Sequence, residues 1–163
     1  MGLKKDQVFL GVARISLGCI FFWAFIDKLF GLSFATPPDK AWLLGNAPTL
    51  GFLTKSTYGP FASIYQSFAG SPVIDWLFML GLLGIGLSLI LGIGIKIAGY
   101  SGALLMVLMY AAMIPPKNNP LFDDHIIYAL ILLAFTQMKV GHWIGFGKLW
   151  SQTKLVKQNK FLE

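Results

Sequence analysis

The stretch SPVIDWLFMLGLLGIGLSLILGIGIKIAGYSGALLMVLMYAAMIPP, residues 71–116, decides the architecture. It holds two apolar runs, 73–95 and 97–114, interrupted by charge only at Asp75 and Lys96. Runs of this length cover a hydrocarbon core of about 30 Å at roughly 1.5 Å per helical residue. The connection between them is so short that the two helices must run antiparallel, with Lys96 at the polar tip of the hairpin. Pro115 and Pro116 end the second run because neither can donate a backbone hydrogen bond. Asn118 to Phe122 then read as a turn, and Asp123 suits an N-cap.

Working outward, a third apolar run covers 8–30 and a fourth 123–138. The expected fold is all-α: one polytopic membrane domain over 1–163, with four antiparallel transmembrane helices, an outer loop 31–72 and a tail 141–163. Composition agrees, because 12% charged residues is about half of what a soluble domain carries, and mean hydropathy is +0.69. Lys4 and Lys5 precede the first run as in a signal peptide, but the run is too long for one and no small-residue cleavage pattern follows.

Loop charges set the expected orientation. Lys4, Lys5, Lys96, Lys139, Lys148, Lys154, Lys157 and Lys160 gather on one side, against Lys40, Lys55 and Lys117 on the other. Both termini are therefore expected to be cytoplasmic; the expected location is a prokaryotic plasma membrane. The net charge of +6 is accounted for by anionic lipid, with no nucleic-acid partner required. In the outer loop, Phe61, Ile64, Tyr65 and Phe68 follow helical spacing and predict a short interfacial helix over about 60–68, either an aromatic belt or a lid over a site. The tail mixes Trp143, Ile144, Phe146, Leu149 and Trp150 with lysines, as membrane-surface segments do.

Ionisable residues within the apolar runs are the candidate functional groups. Arg14 either snorkels to the cytoplasmic surface or binds an anion or a carbonyl oxygen. Asp27 and Lys28 are neighbours and point roughly 100° apart, so each needs its own partner. The antiparallel order sets Asp75, Asp123, Asp124 and His125 level with Lys28, beneath the loop that carries Trp42. Asp75 and Asp123 are explained by helix capping. His125 heads a helical stripe with Tyr128, and an imidazole beside an acid either exchanges protons with a carrier or is simply hydrogen-bonded to Asp27 or Asp75. Gly84, Ser88 and Gly92, like Gly99 and Gly102, predict close helix contacts. Cys19 is alone and His142 lies far from His125, so no metal or haem site within one chain is expected.

The segments ARISLGCIFFWAFIDKLFGLSFATPP (13–38), AWLLGNAPTLGFLTKSTYGPF (41–61) and NPLFDDHIIYALILLAF (119–135) resemble the DoxX family of small four-helix membrane proteins, most nearly its DoxD branch. That resemblance implies the membrane subunit of a thiosulfate:quinone oxidoreductase, which couples two thiosulfates to tetrathionate and passes the electrons to quinone beside a second redox subunit. It points to Arg14, Asp27, Lys28, Trp42, Gly45, Pro48, Asp124 and His125. In this reading Lys28 and His125 form a cationic outer pocket for an anion or a quinone oxygen, oriented by Asp27 or Asp124. Arg14, Trp23, Trp42 and Tyr128 are the expected cofactor contacts. An aromatic-lined opening between the first and last helices would favour the quinone. The expected partners are the bilayer, the quinone, the redox subunit and further copies of the chain. The alternative from another class is a non-enzymatic assembly partner, or a carrier of a small lipid or anion.

Overall fold

The computed structural model describes residues 2–117 and 119–163, so Asn118 of the expected turn lies outside the described residues. The described chain is helical, with one isolated parallel bridge between Tyr58 and Met113. Its elements are α1 (Lys5–Phe30), 3-10 turns at Pro38–Lys40 and Trp42–Leu44, α2 (Leu50–Lys55), α3 (Ala62–Ser67), α4 (Pro72–Leu91) and α5 (Ile95–Ala111). After these come α6 (Asp124–Gln137), α7 (Val140–Trp143), α8 (Gly147–Ser151), α9 (Lys154–Gln158) and a 3-10 turn at Lys160–Leu162.

Two helices, α1 and α4, are long and apolar enough to cross a membrane. α5 and α6 are apolar but shorter, 17 and 14 residues. The second expected run stops at Leu91 instead of 95, because Gly92 and Gly94 adopt left-handed φ angles of 76° and 62° and make the turn. Lys96 is consequently inside α5 and not at the tip.

α1 packs along α4, α4 along α5 and α5 along α6. Glycines set the distances. A Cβ on Gly18 would stand 2.9 Å from the Ile90 nitrogen, and one on Gly86 2.8 Å from the Phe22 nitrogen, which fixes the antiparallel register of α1 and α4. Gly99 and Gly102 likewise press on Leu132 of α6. Gly84, by contrast, has nothing within 4 Å, so the close contact expected there is made by Gly86. Leu17, Phe21, Met79, Leu82, Ile85, Leu89, Leu132 and Phe135 form the shared core.

The segment joining α1 to α4 is more structured than the single interfacial helix expected, since α2 and two 3-10 turns join α3. Buried acids explain this order. Asp27 accepts from the backbone N–H groups of Phe34 and Ala35 at 3.2 and 3.0 Å, and Asp75 accepts from the N–H and hydroxyl of Thr49. Tyr58 N–H donates to the Ala112 carbonyl at 3.1 Å, and the Tyr65 hydroxyl to the Leu108 carbonyl at 2.8 Å. Asp75 therefore does not cap its own helix, as expected from sequence; Ser71 occupies the N-cap and Asp75 reaches across to the loop.

At the opposite end Arg14 is 0% exposed. Its guanidinium donates to the carbonyls of Val140, at 3.0 Å, and Ile144, in a space that Gly92 and Gly145 leave free. Snorkelling to the surface is overturned: the side chain turns inward because backbone carbonyls just past α6 offer acceptors.

Candidate functional site

Two cavities lie at the end of the molecule where the 31–71 segment folds over the helices. The first has a volume of about 540 Å³. Its wall is apolar apart from Lys28, Thr49 and the Tyr65 hydroxyl, and it is rich in rings: Phe52, Phe61, Phe68 and Phe78. α1 supplies Lys28, α4 supplies Ile74 and Phe78, and α5 supplies Leu105, Leu108 and Met109, while α2 and α3 close it over. The aromatic residues of α3 and its flanks thus act as a cover for this space.

Lys28 sits in the last turn of α1 and is half-buried. Asp27 beside it is spent on the Phe34 and Ala35 backbone. Among the described residues no hydrogen bond or ion pair engages the Lys28 ammonium. An ammonium of this kind, at the edge of an apolar chamber, presents donors to a carbonyl or carboxylate oxygen of whatever fills the chamber.

The second cavity, about 480 Å³, has a mixed wall. Lys55, Ser56, Tyr58, Lys117, Asp123, Asp124 and His125 line it, and Met113, Pro116 and Phe122 also contribute. Asp123 caps α6 as expected, accepting from the N–H groups of His125 and Ile126 at 3.1 and 3.3 Å. Its other oxygen lies 2.7 Å from His125 Nδ1. The histidine is therefore held by its own N-cap residue and not by Asp27 or Asp75. The Lys117 ammonium stands 5.5 Å from the centre of the Tyr58 ring.

Lys28 and His125 consequently line different cavities, and the single cationic pocket expected to join them is not formed. The two cavities draw on neighbouring pieces of chain: Phe52 and Leu53 line the first and Lys55 and Ser56 the second, as do Ala111 and Met113 respectively. Asp124 shares the cavity of His125, whereas Asp27 and Asp75 are buried in the loop anchorage. The first cavity also has no wall from α6; α5 stands where the last helix was expected.

Of the remaining sequence candidates Pro48 lines the first cavity, and the others line neither. Arg14 is at the far end of α1. Trp23 meets Phe34 edge-on at 5.1 Å, Trp42 meets Trp76 edge-on at 4.7 Å, and Tyr128 packs on the core. Sequence reasoning missed Phe52, Phe78 and Met109, whose only signal is that they are apolar; nothing in their spacing separates a cavity wall from a core. Among the described residues no group of His, Cys, Asp and Glu could hold a metal ion.

No family model matches the chain, and no curated protein or solved structure is significantly similar to it.

Proposed function

We propose that the chain is a polytopic membrane protein of four antiparallel spans, α1, α4, α5 and α6, and that it serves as the quinone-holding membrane subunit of a redox system. The apolar surface supports the four spans: Phe9 and Ile20 on α1, Leu77 and Leu80 on α4, Leu104 on α5 and Leu130 on α6 are all exposed, a surface suited to lipid. Charge bias supports an orientation with both termini cytoplasmic, in what we take to be a prokaryotic plasma membrane.

One observation carries the quinone reading: an ammonium with no partner among the described residues, at the edge of a ring-lined apolar chamber of about 540 Å³. That volume is within the range of small-molecule pockets. Phe52, Phe61, Phe68 and Phe78 would hold a flat ring and its apolar tail, and Lys28 would donate to a ring oxygen. Bound quinone would supply a two-electron, two-proton acceptor. By resemblance the donor is thiosulfate: two thiosulfates joined as tetrathionate release two electrons, which reach the quinone through a second redox subunit. A carrier of a single-chain lipid anion is the second reading, favoured by the same ammonium on a mostly apolar wall.

Titration of the purified protein in nanodiscs with decylubiquinone and with palmitate tests both. Decylubiquinone binding that weakens at least about tenfold in Lys28→Ala, the loss of one desolvated hydrogen bond to a charged group, is the expected result. Unchanged affinity in Lys28→Ala removes the site, and palmitate binding without quinone binding selects the carrier. Thiosulfate-dependent quinone reduction by membranes holding the partner subunit, abolished in Lys28→Ala, tests the reaction.

A further inference from the structure

The tail is a folded platform. Arg14 clasps Val140 and Ile144, Trp150 Nε1 donates to the Leu162 carbonyl at 2.6 Å, Lys96 Nζ donates to the Lys160 carbonyl at 3.0 Å, and Val156 is fully buried. Its outward residues are unlike an ordinary solvated surface. Lys148, Lys154, Lys157 and Lys160 are exposed and make no ion pair among the described residues, while Leu149 and Leu155 between them are 65% and 59% exposed. From 138 onward the one acid is Glu163, placed 2.9 Å from His142.

We infer that this platform docks on the headgroups of anionic phospholipids. Unneutralised lysines attract phosphate-bearing lipid, and leucines beside them are what the boundary between headgroups and acyl chains accepts. An acidic partner in water would satisfy the lysines but leave no reason for the exposed leucines. The platform also sits where α1, the α4–α5 turn and the end of α6 meet, which is the level of the bilayer surface; the inference rests to that extent on the membrane reading. The clasp by Arg14 and Lys96 holds the backbone that carries these lysines, so docking requires no folding of the tail.

Amide exchange of the full chain in nanodiscs of phosphatidylcholine, with and without phosphatidylglycerol, tests it. Amides across 147–158 are expected to exchange on the order of tenfold more slowly when phosphatidylglycerol is present. The quadruple variant Lys148→Gln, Lys154→Gln, Lys157→Gln, Lys160→Gln is expected to lose that difference while α1 and α4 exchange as before. Equal exchange in both discs, or a difference that persists in the variant, overturns the docking. Release of the protein from vesicles by alkaline carbonate would overturn the membrane reading itself.

Discussion

Thr49 and Asp75 form a buried pair in which one carboxylate oxygen accepts two hydrogen bonds, from the Thr49 N–H at 3.0 Å and from its hydroxyl at 2.6 Å. The pair fastens the segment leading into α2 to the first turn of α4, and with it one wall of the Lys28 cavity. Asp75→Ala strands both donors and is expected to destabilise the protein by about 3 kcal/mol, whereas Thr49→Val keeps the backbone bond and costs about 1 kcal/mol. Thermal unfolding in detergent ranks the two, and amide exchange across 47–56 should rise most in Asp75→Ala. Equal effects would mean that the carboxylate does not anchor the loop.

Arg14 suggests a different kind of variant, because its charge has no acidic partner among the described residues. Its stabilisation comes from two carbonyls past the end of α6, while its Nε is buried without an acceptor among the described residues. Arg14→Met is therefore expected to cost little in helix packing, since a desolvated charge goes with the lost bonds. The tail, however, loses its clasp. Limited trypsin digestion after Lys148 should release segment 149–163 faster in Arg14→Met than in the parent, with α1 and α4 still intact; an unchanged digestion rate would show that α7 and α8 hold the tail without it.

How much of this was legible in sequence depends on the kind of signal. Apolar length located α1, α4, α5 and α6, and Asp123 was recognisable as an N-cap because an acid directly before an apolar helix has one obvious task. Asp27 and Asp75 misled because a carboxylate near a helix end looks alike whether it faces a ligand or distant backbone donors; their partners, Phe34, Ala35 and Thr49, are identified only once the loop has folded. Lys28 and His125 share a level in the fold, but level does not fix azimuth, and the Tyr58 to Ala112 contact lies among the residues that line their separate cavities. The glycines show the same limit: spacing marked Gly84, whereas the helix face that meets α1 carries Gly86.

The Tyr65 hydroxyl, donating to Leu108 at 2.8 Å, gives the cover of the Lys28 cavity a titratable fastening. Burial pushes this phenol above its ordinary value of 10.0. The neutral form is therefore favoured in the folded protein, and the unfolded chain loses its proton first as pH rises. Stability contributed by Tyr65 is complete below the unfolded value and falls as pH climbs from there through the folded one. Tyr65→Phe should be less stable than the parent at pH 7 by about 1 kcal/mol, and the gap should shrink in alkaline solution. A gap independent of pH would show that the hydroxyl bond is not what titrates.

Gly86 and Gly84 allow a paired test of the helix register. A methyl group on Gly86 would stand 2.8 Å from the Phe22 nitrogen and 2.9 Å from its Cβ, so α1 must be pushed away from α4. Gly86→Ala is accordingly expected to destabilise the protein by about 1–3 kcal/mol, as overpacking does. Gly84→Ala meets nothing within 4 Å and gains helix propensity, so it should be neutral or more stable by up to about 1 kcal/mol. Unfolding in detergent that ranks Gly84→Ala above the parent and Gly86→Ala below it is the outcome required by this packing. The reverse order would mean that α1 lies on the face of α4 marked by Gly84, and Lys28 would then be turned out of the ring-lined cavity.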